Sequence, residues 1–368
     1  MNEEAMRVMT ILGTRPEIIR LSLIMKQLDQ LAEKHIIVHT GQNFTHTLSD
    51  IFFEEMGLRS PDYKLFDQQQ SVGEQLSIMF REIEKICLKE QPDRVLLLGD
   101  TNSALSAIVV ERLGIPVVHM EAGNRCFDLR VPEEKNRRII DTVSSINMPY
   151  TEQSKKHLIK EGIPSQRIIL TGNPIYEVLV HYKSKIEAST ILTRLNLRRG
   201  DYFIVTTHRA ENVDCTEHLQ QIMQSLNETA ERYGKRIICS VHPRTRARME
   251  STPHLSLNPL VECYEPFGFF DFVKLEQHAA CAITDSGTVQ EECCIFHVPT
   301  VTIRNTTERP ETVDCGSNVV SGLKPQHIVE AIGVMTSLPT SWECPKGYLE
   351  PHVSHTVVKF LLGGKMDV

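Results

Sequence analysis

Residues 119–141 read HMEAGNRCFDLRVPEEKNRRIID. The stretch opens on the tail of VVHM (117–120), an apolar run that reads as the end of a buried strand, and it leads into a helical pattern. Between the two lie Glu121, Arg125, Asp128, Arg130, Glu133, Glu134 and Arg137. So much charge in one connection is costly to bury unless its groups are paired or hold something. In an open α/β sheet, ligands collect at the carboxyl ends of strands, which is where this segment falls. A solvated loop before a surface helix is the plainer alternative, and the rest of the chain weighs against it.

Working outward, the same grammar recurs. VMTIL (8–12) stops at Gly13-Thr14-Arg15-Pro16-Glu17 and gives way to a helical pattern reaching about Leu31. A strand, a tight turn and an early proline aim backbone N–H groups at an anion, and Arg15 adds a planar cationic fork. IIVHTGQ (36–42) reads as a second strand, and RVLLL (94–98) as a third that ends in Gly99-Asp100-Thr101. After residue 170 the pattern starts again. YFIVT (202–206) ends in His208-Arg209-Ala210-Glu211-Asn212, and RIICSV (236–241) in His242-Pro243-Arg244. CAIT (281–284) runs into Asp285-Ser286-Gly287-Thr288, and TVTI (300–303) into a polar run that includes Arg309. Strands alternating with helices predict doubly wound parallel sheets. The expected architecture is α/β, two Rossmann-like domains facing a cleft. The boundaries drawn are 1–175, 176–350 and a C-terminal helix, 351–368, packing back on the first domain.

The 368 residues suit two domains, and 41% hydrophobic with 24% charged residues is ordinary for a globular enzyme. A net charge of -7 carries no signature of nucleic-acid binding. No apolar run approaches a membrane span, and the acidic start MNEEAMRVMTILG makes a poor signal peptide. Ten scattered cysteines without a CxxC pair point to reduced thiols in a cytoplasm. GxGxxG and GxxxxGK[ST] are both missing, which argues against a dinucleotide cofactor and an NTPase. His119, His208 and His242 lack metal-ligand spacing, so neither metal nor cofactor is expected.

Ser286-Gly287-Thr288 at a strand end is a plausible diphosphate cradle, with Glu292 a turn and a half on, where a carboxylate suits ribose hydroxyls. A helix cap with a solvated acidic face is the competing reading. Asp100, Glu121 and Glu133 are sharper. Carboxylates that share a pocket repel, their proton affinities spread, and one becomes a base while another is an acid.

At these residues the sequence resembles the non-hydrolysing UDP-N-acetylglucosamine 2-epimerase family. The motifs are GTRPE (13–17), GDT (99–101), MEAG (120–123), PEEKNR (132–137), HRAEN (208–212), TDSGTVQEE (284–292) and TTERPE (306–311). The resemblance implies a fold like that of GT-B glycosyltransferases, UDP held mainly by the second domain, a homodimer and no nicotinamide. It implies proton chemistry on Asp100, Glu121 and Glu133, with His208 in the catalytic set and Arg15 and His208 steadying the diphosphate. Ser286, Gly287, Thr288 and Glu292 would hold UDP, and Arg20, Arg137, Phe272 and Arg309 would line the substrate site. Arg20 stands where many relatives acting on D-glucosamine have lysine. The segments NRCFD (124–128) and EPFGFFDF (265–272) resemble the capsule and O-antigen subgroup that converts UDP-N-acetyl-L-talosamine to UDP-N-acetyl-L-fucosamine. Phe127, Phe267 or Phe269 could favour a sugar methyl group. Arg20, Arg125 or Arg130 could instead pair an added carboxylate of a uronic or diacetamido sugar. The segment GQNFTH (41–46) departs from the pattern of relatives that UDP-N-acetylglucosamine activates. A glycosyltransferase on the same fold and a catalytically silent UDP-sugar binding protein are the rival readings.

Overall fold

A computed structural model describes residues 6–41, 46–65, 71–252 and 256–364, apart from the side chains of 46–49. The segment 42–45, on which regulation by a second UDP-sugar was weighed, lies outside them. The chain divides into two units, Met1–His181 with Lys346–Val368, and Tyr182–Pro345.

The first unit is built on β1 (Arg7–Leu12), β2 (Lys34–His39), β3 (Tyr63–Lys64), β4 (Arg94–Leu98), β5 (Val117–Met120) and β6 (Ile146–Met148). All pairs are parallel, in the order β3-β2-β1-β4-β5-β6. The second repeats the plan with β7 (Tyr202–Thr207), β8 (Arg236–Val241), β9 (Val261–Tyr264), β10 (Cys281–Thr284), β11 (Thr300–Thr302) and β12 (Asn318–Val320). Its order, β12-β11-β10-β7-β8-β9, is the same arrangement read from the other edge. Each sheet therefore reverses direction once, between β1 and β4 and between β7 and β10. A crevice opens at such a switch point, outside the strand ends. The turns GTRPE and GDT flank the first switch, and HRAEN and DSGT the second.

These strands are continuous apolar runs because helices cover both faces of each sheet. Along β7 the alternation is plain. Phe203 and Val205 face one layer with Leu219, Ile222 and Leu226 of the helix Thr216–Tyr233. Tyr202 and Ile204 face the other with Phe272, Leu275, Val289 and Cys293. In the first unit Met9, Ile11, Val95, Leu97 and Val117 pack on Ile83 and Ile86.

The crossings fall at 181/182 and 345/346, where the sequence reading drew them at 175/176 and 350/351. The difference has a local cause. The helix Ile175–His181 belongs with the first unit because Glu177 accepts from Ser354 N (2.8 Å) and Ser354 Oγ (2.6 Å). That carboxylate caps the N-terminus of the returning helix Val353–Gly363. At the helix's other end the Arg94 guanidinium donates to the carbonyls of Phe360, Leu361 and Gly364, at 2.6, 2.8 and 2.5 Å. Ahead of it, Gly347 O accepts from Asn173 N (2.8 Å), and Tyr348 is buried. Among the described residues no helix is long and apolar enough to cross a membrane.

Candidate functional site

Glu17 organises the first switch. It is buried in the opening turn of the helix Arg15–Leu31 and accepts from Gly13 N (2.6 Å) and Thr14 N (2.7 Å) on one oxygen. Its other oxygen accepts from Thr101 Oγ1 (2.6 Å), so one carboxylate ties the GTRPE turn to the GDT turn. Burial pushes Glu17 up to about 7, against the hydrogen bonds from Thr101, Gly13 and Thr14. A carboxyl group raised in the folded state favours folding fully below its unfolded value near 4.5 and loses that contribution as pH rises through 7. Glu17→Gln keeps the size and suits the same partners, because its amide can donate to Thr101 Oγ1. Relative to the native chain, the variant should gain stability on the order of 3 kcal/mol between pH 4.5 and 7, read as the difference between urea unfolding curves across that window.

Asp100 stands at the end of β4, partly exposed, with Oδ2 held by Arg137 Nε (2.8 Å). Asn136 Nδ2 donates to the Asp100 carbonyl (2.9 Å), so the helix Pro132–Val143 fixes this residue twice. Arg137 also pairs with Glu134 at 2.9 Å, and its side chain is 3% exposed. In these contacts it positions Asp100. Glu133 and Glu134 are neighbours with different lots. Glu134 is fully buried and accepts from Cys126 N (2.9 Å) as well as Arg137. Burial would raise its carboxyl group, but Cys126 and Arg137 hold it below the usual range. Glu133 is half-buried on the same first turn.

Glu121 follows β5 with a positive φ of 67° and is paired with the buried Arg20, whose guanidinium lies 5.9 Å from the centre of the Tyr150 ring. Gly123, two residues on, has φ 79°, and a Cβ there would stand 2.2 Å from Ser154 O. The MEAG turn can therefore carry only glycine at that position. Arg125 is buried and bound to Asp141 (2.7 Å) and Glu161 (2.6 Å). Arg130 is exposed and pairs with Asp128 at 2.8 Å. Arg15 lies 5.4 Å from the centre of the Phe52 ring. Phe127 is exposed with its ring edge on His157, whereas Phe269 is buried.

The second switch is organised by Asp285, fully buried after β10. It accepts from Thr207 Oγ1 (2.9 Å), His208 N (3.0 Å), Arg209 N (3.0 Å) and Asn212 Nδ2 (3.1 Å). This clamps the HRAEN turn beside the start of the helix Gly287–Phe296. His208 projects from the turn half-exposed, its Nδ1 3.3 Å from Asp285. Ser286 is the residue before the first turn of that helix, and Thr288 is half-buried within it. A Cβ on Gly287 would meet Glu308 Oε1 at 2.6 Å, so a side chain there would have to displace that carboxylate. Glu308 joins Arg209 (3.0 Å) to Arg304 (2.6 Å). Arg309 is buried and bound to Glu291. Glu292 is buried in the same helix, and Phe272 lies in the apolar layer beside β7.

Sequence reasoning gave no role to Glu17, Asn136, Asp141, Asp285 or Glu308. Glu17, Asn136, Asp285 and Glu308 stand inside the quoted motifs, but that they bridge separate turns is a matter of sheet order. The two halves offer different chemistry. The first presents carboxylates steered by arginines, suited to moving protons; the second presents the half-exposed His208 and the N-terminus of the helix Gly287–Phe296, suited to an anion.

Known proteins share this arrangement. The family model described as UDP-N-acetylglucosamine 2-epimerase matches residues 26–362. The UDP-N-acetylglucosamine 2-epimerase of Methanocaldococcus jannaschii is 40% identical over 367 residues, 98% of this chain and all of that protein. The UDP-2,3-diacetamido-2,3-dideoxy-D-glucuronate 2-epimerase of Pseudomonas aeruginosa is 38% identical over 331 residues, 89% of this chain and 91% of that protein. A crystal structure of the M. jannaschii protein in complex with UDP-GlcNAc and UDP superposes with a TM-score of 0.92, covering 97% of this chain and 99% of that one. With its two six-stranded parallel sheets, each of the same GT-B-like strand order, the chain belongs to the UDP-N-acetylglucosamine 2-epimerase family and is an enzyme of the isomerase class.

Proposed function

We propose that this enzyme inverts carbon 2 of a UDP-linked 2-acetamido sugar by eliminating UDP and adding it back. One observation carries the reading. Asp100 and Glu121 end adjacent strands, each aimed by its own buried arginine, Arg137 or Arg20. Paired, hydrogen-bonded carboxylates at strand ends suit an acid and a base working on one small molecule.

The proton on carbon 2 is not next to a carbonyl, so no enolate forms. Cleavage of the anomeric carbon–oxygen bond sends its electron pair out with UDP. A base removes the carbon 2 proton, and that pair becomes the double bond of a 2-acetamidoglycal. An acid then delivers a proton to the opposite face, and UDP re-adds at carbon 1. Asp100, Glu121 and Glu133 serve the proton transfers. Arg15, His208, Ser286, Gly287 and Thr288 stabilise the departing diphosphate, and Glu292 holds the ribose.

The substrate pair is taken as UDP-N-acetyl-L-talosamine and UDP-N-acetyl-L-fucosamine, supported by the NRCFD and GFFDF segments. A 2,3-diacetamido glucuronate is the second reading, favoured by the 38% identity to the P. aeruginosa enzyme of that name. UDP-N-acetylglucosamine is the third, favoured by the M. jannaschii relative. The enzyme is placed in the cytoplasm as a homodimer, making precursors of surface polysaccharide; its ten free thiols fit a reducing compartment.

The test is incubation with a panel of these UDP-sugars in heavy water while NMR follows carbon 2. Deuterium should enter with inversion on the L-sugar pair. Exchange confined to UDP-N-acetylglucosamine or to the glucuronate would replace the substrate assignment, and no exchange on any donor would end the epimerase reading.

A further inference from the structure

His119 lies in β5, buried, one residue before the strand ends. Its Nε2 is 2.8 Å from the carbonyl oxygen of Gly99, and its Nδ1 is 2.9 Å from Asp141 Oδ1. A carbonyl oxygen only accepts, so Nε2 carries a proton. The other oxygen of Asp141 accepts from Gly123 N (3.1 Å) and Arg125 (2.7 Å). A buried carboxylate that takes these donors and an arginine is ionised, so Nδ1 carries a proton too.

We infer that His119 is a positioning residue, a standing imidazolium that fixes the Gly99–Asp100 turn against the end of β5 and so sets where Asp100 stands relative to Glu121. Gly99 is held on both sides, since its N–H donates to Met120 O (3.1 Å) while its carbonyl takes the imidazolium. The charge is balanced in an alternating row, His119, Asp141 and Arg125 buried and Glu161 at the surface end. Burial works against the imidazolium, but Asp141, the Gly99 carbonyl and the negative charge of Glu121 together raise the ring above its ordinary value. The inference deepens the proposed function and rests on Asp100 and Glu121 being its proton-transfer groups.

Two measurements test it. The first uses the native chain with 15N-labelled histidine, so it does not depend on any variant folding. Long-range correlation spectra, with His119 assigned through contacts to the Val118 and Met120 amides, should show both ring nitrogens protonated from pH 6 to 9. A single N–H in that range overturns the imidazolium. The second uses His119→Gln, whose amide can still donate to Gly99 O but carries no charge. Carbon 2 exchange should fall at least about 100-fold while UDP affinity measured by calorimetry stays within about threefold. The variant removes a cation from the surroundings of Glu121, so the acidic limb of the exchange rate should move to higher pH. The charged groups that set that limb are Asp141 and Arg125 beside the ring, Glu161 beyond them, and Glu121 with its partner Arg20. An unchanged rate and limb, or parallel loss of UDP binding and exchange, overturns the positioning role. Failure here leaves native exchange intact, whereas failure of the epimerase reading removes exchange from the native enzyme itself.

Discussion

Asp100→Asn, Glu121→Gln and Glu133→Gln should each lower turnover about 10²–10⁴-fold, the contribution of a positioned acid or base, with UDP affinity kept within about tenfold. The three differ in what else they disturb, and that difference makes the series decisive. Glu121→Gln removes an ion-pair partner from the buried Arg20, and breaking comparable buried pairs costs several kcal/mol, so unfolding must be followed alongside rate. Asp100→Asn removes one of two anions from Arg137 and leaves Glu134 in place. Glu133 is half-buried on the helix's first turn, and its replacement should cost the least stability. A stable Glu133→Gln chain that binds UDP and turns over at the native rate would remove Glu133 from the catalytic set. Native rates in all three would remove the mechanism.

The largest effect on the other unit is expected at Asp285. Asp285→Ala withdraws the acceptor from a hydroxyl, two backbone N–H groups and a side-chain amide at once, in a fully buried place. Removing one partner from buried polar groups costs about 1–3 kcal/mol for each group left unsatisfied, so with four donors released the unit should lose at least about 4 kcal/mol, the range of a broken buried charge pair. UDP affinity should fall more than tenfold, because the His208–Arg209 backbone is no longer held beside the helix Gly287–Phe296. Urea unfolding and calorimetric UDP titration read the two losses. A loss below about 1 kcal/mol with unchanged affinity would mean that the HRAEN turn is held by its own sequence rather than by Asp285. Asp285→Asn should recover only part of both, since an amide presents one acceptor and adds a donor among donors.

The strands that were legible in the sequence are the central ones. RVLLL, RIICSV and CAIT coincide with β4, β8 and β10, because a strand covered on both faces must be apolar throughout. The missed strands are peripheral or brief. β3 has two residues, β6 and β12 three each, and β9 is only partly buried, so none writes a long apolar run. The polar motifs after the central strands were legible for the same reason: a charged turn contrasts sharply with the buried strand before it. Their chemistry was legible only as a choice among solvated, capping and binding roles.

What the sequence determined by itself is therefore the repeating strand-and-turn plan, the two-part α/β class and the set of motifs at strand ends. Those are local properties, written in consecutive residues by burial and turn chemistry. The tertiary structure decided the pairings. It alone brings Glu17 to Thr101 across 84 positions, His119 to Asp141, and Asp285 to the N–H groups of His208 and Arg209, 76 or more positions away. It also decides which of the neighbours Glu133 and Glu134 is walled in by Arg137 and Cys126. Sheet order sets these partners, and sheet order depends on which crossovers pack on which face. No run of adjacent residues encodes that.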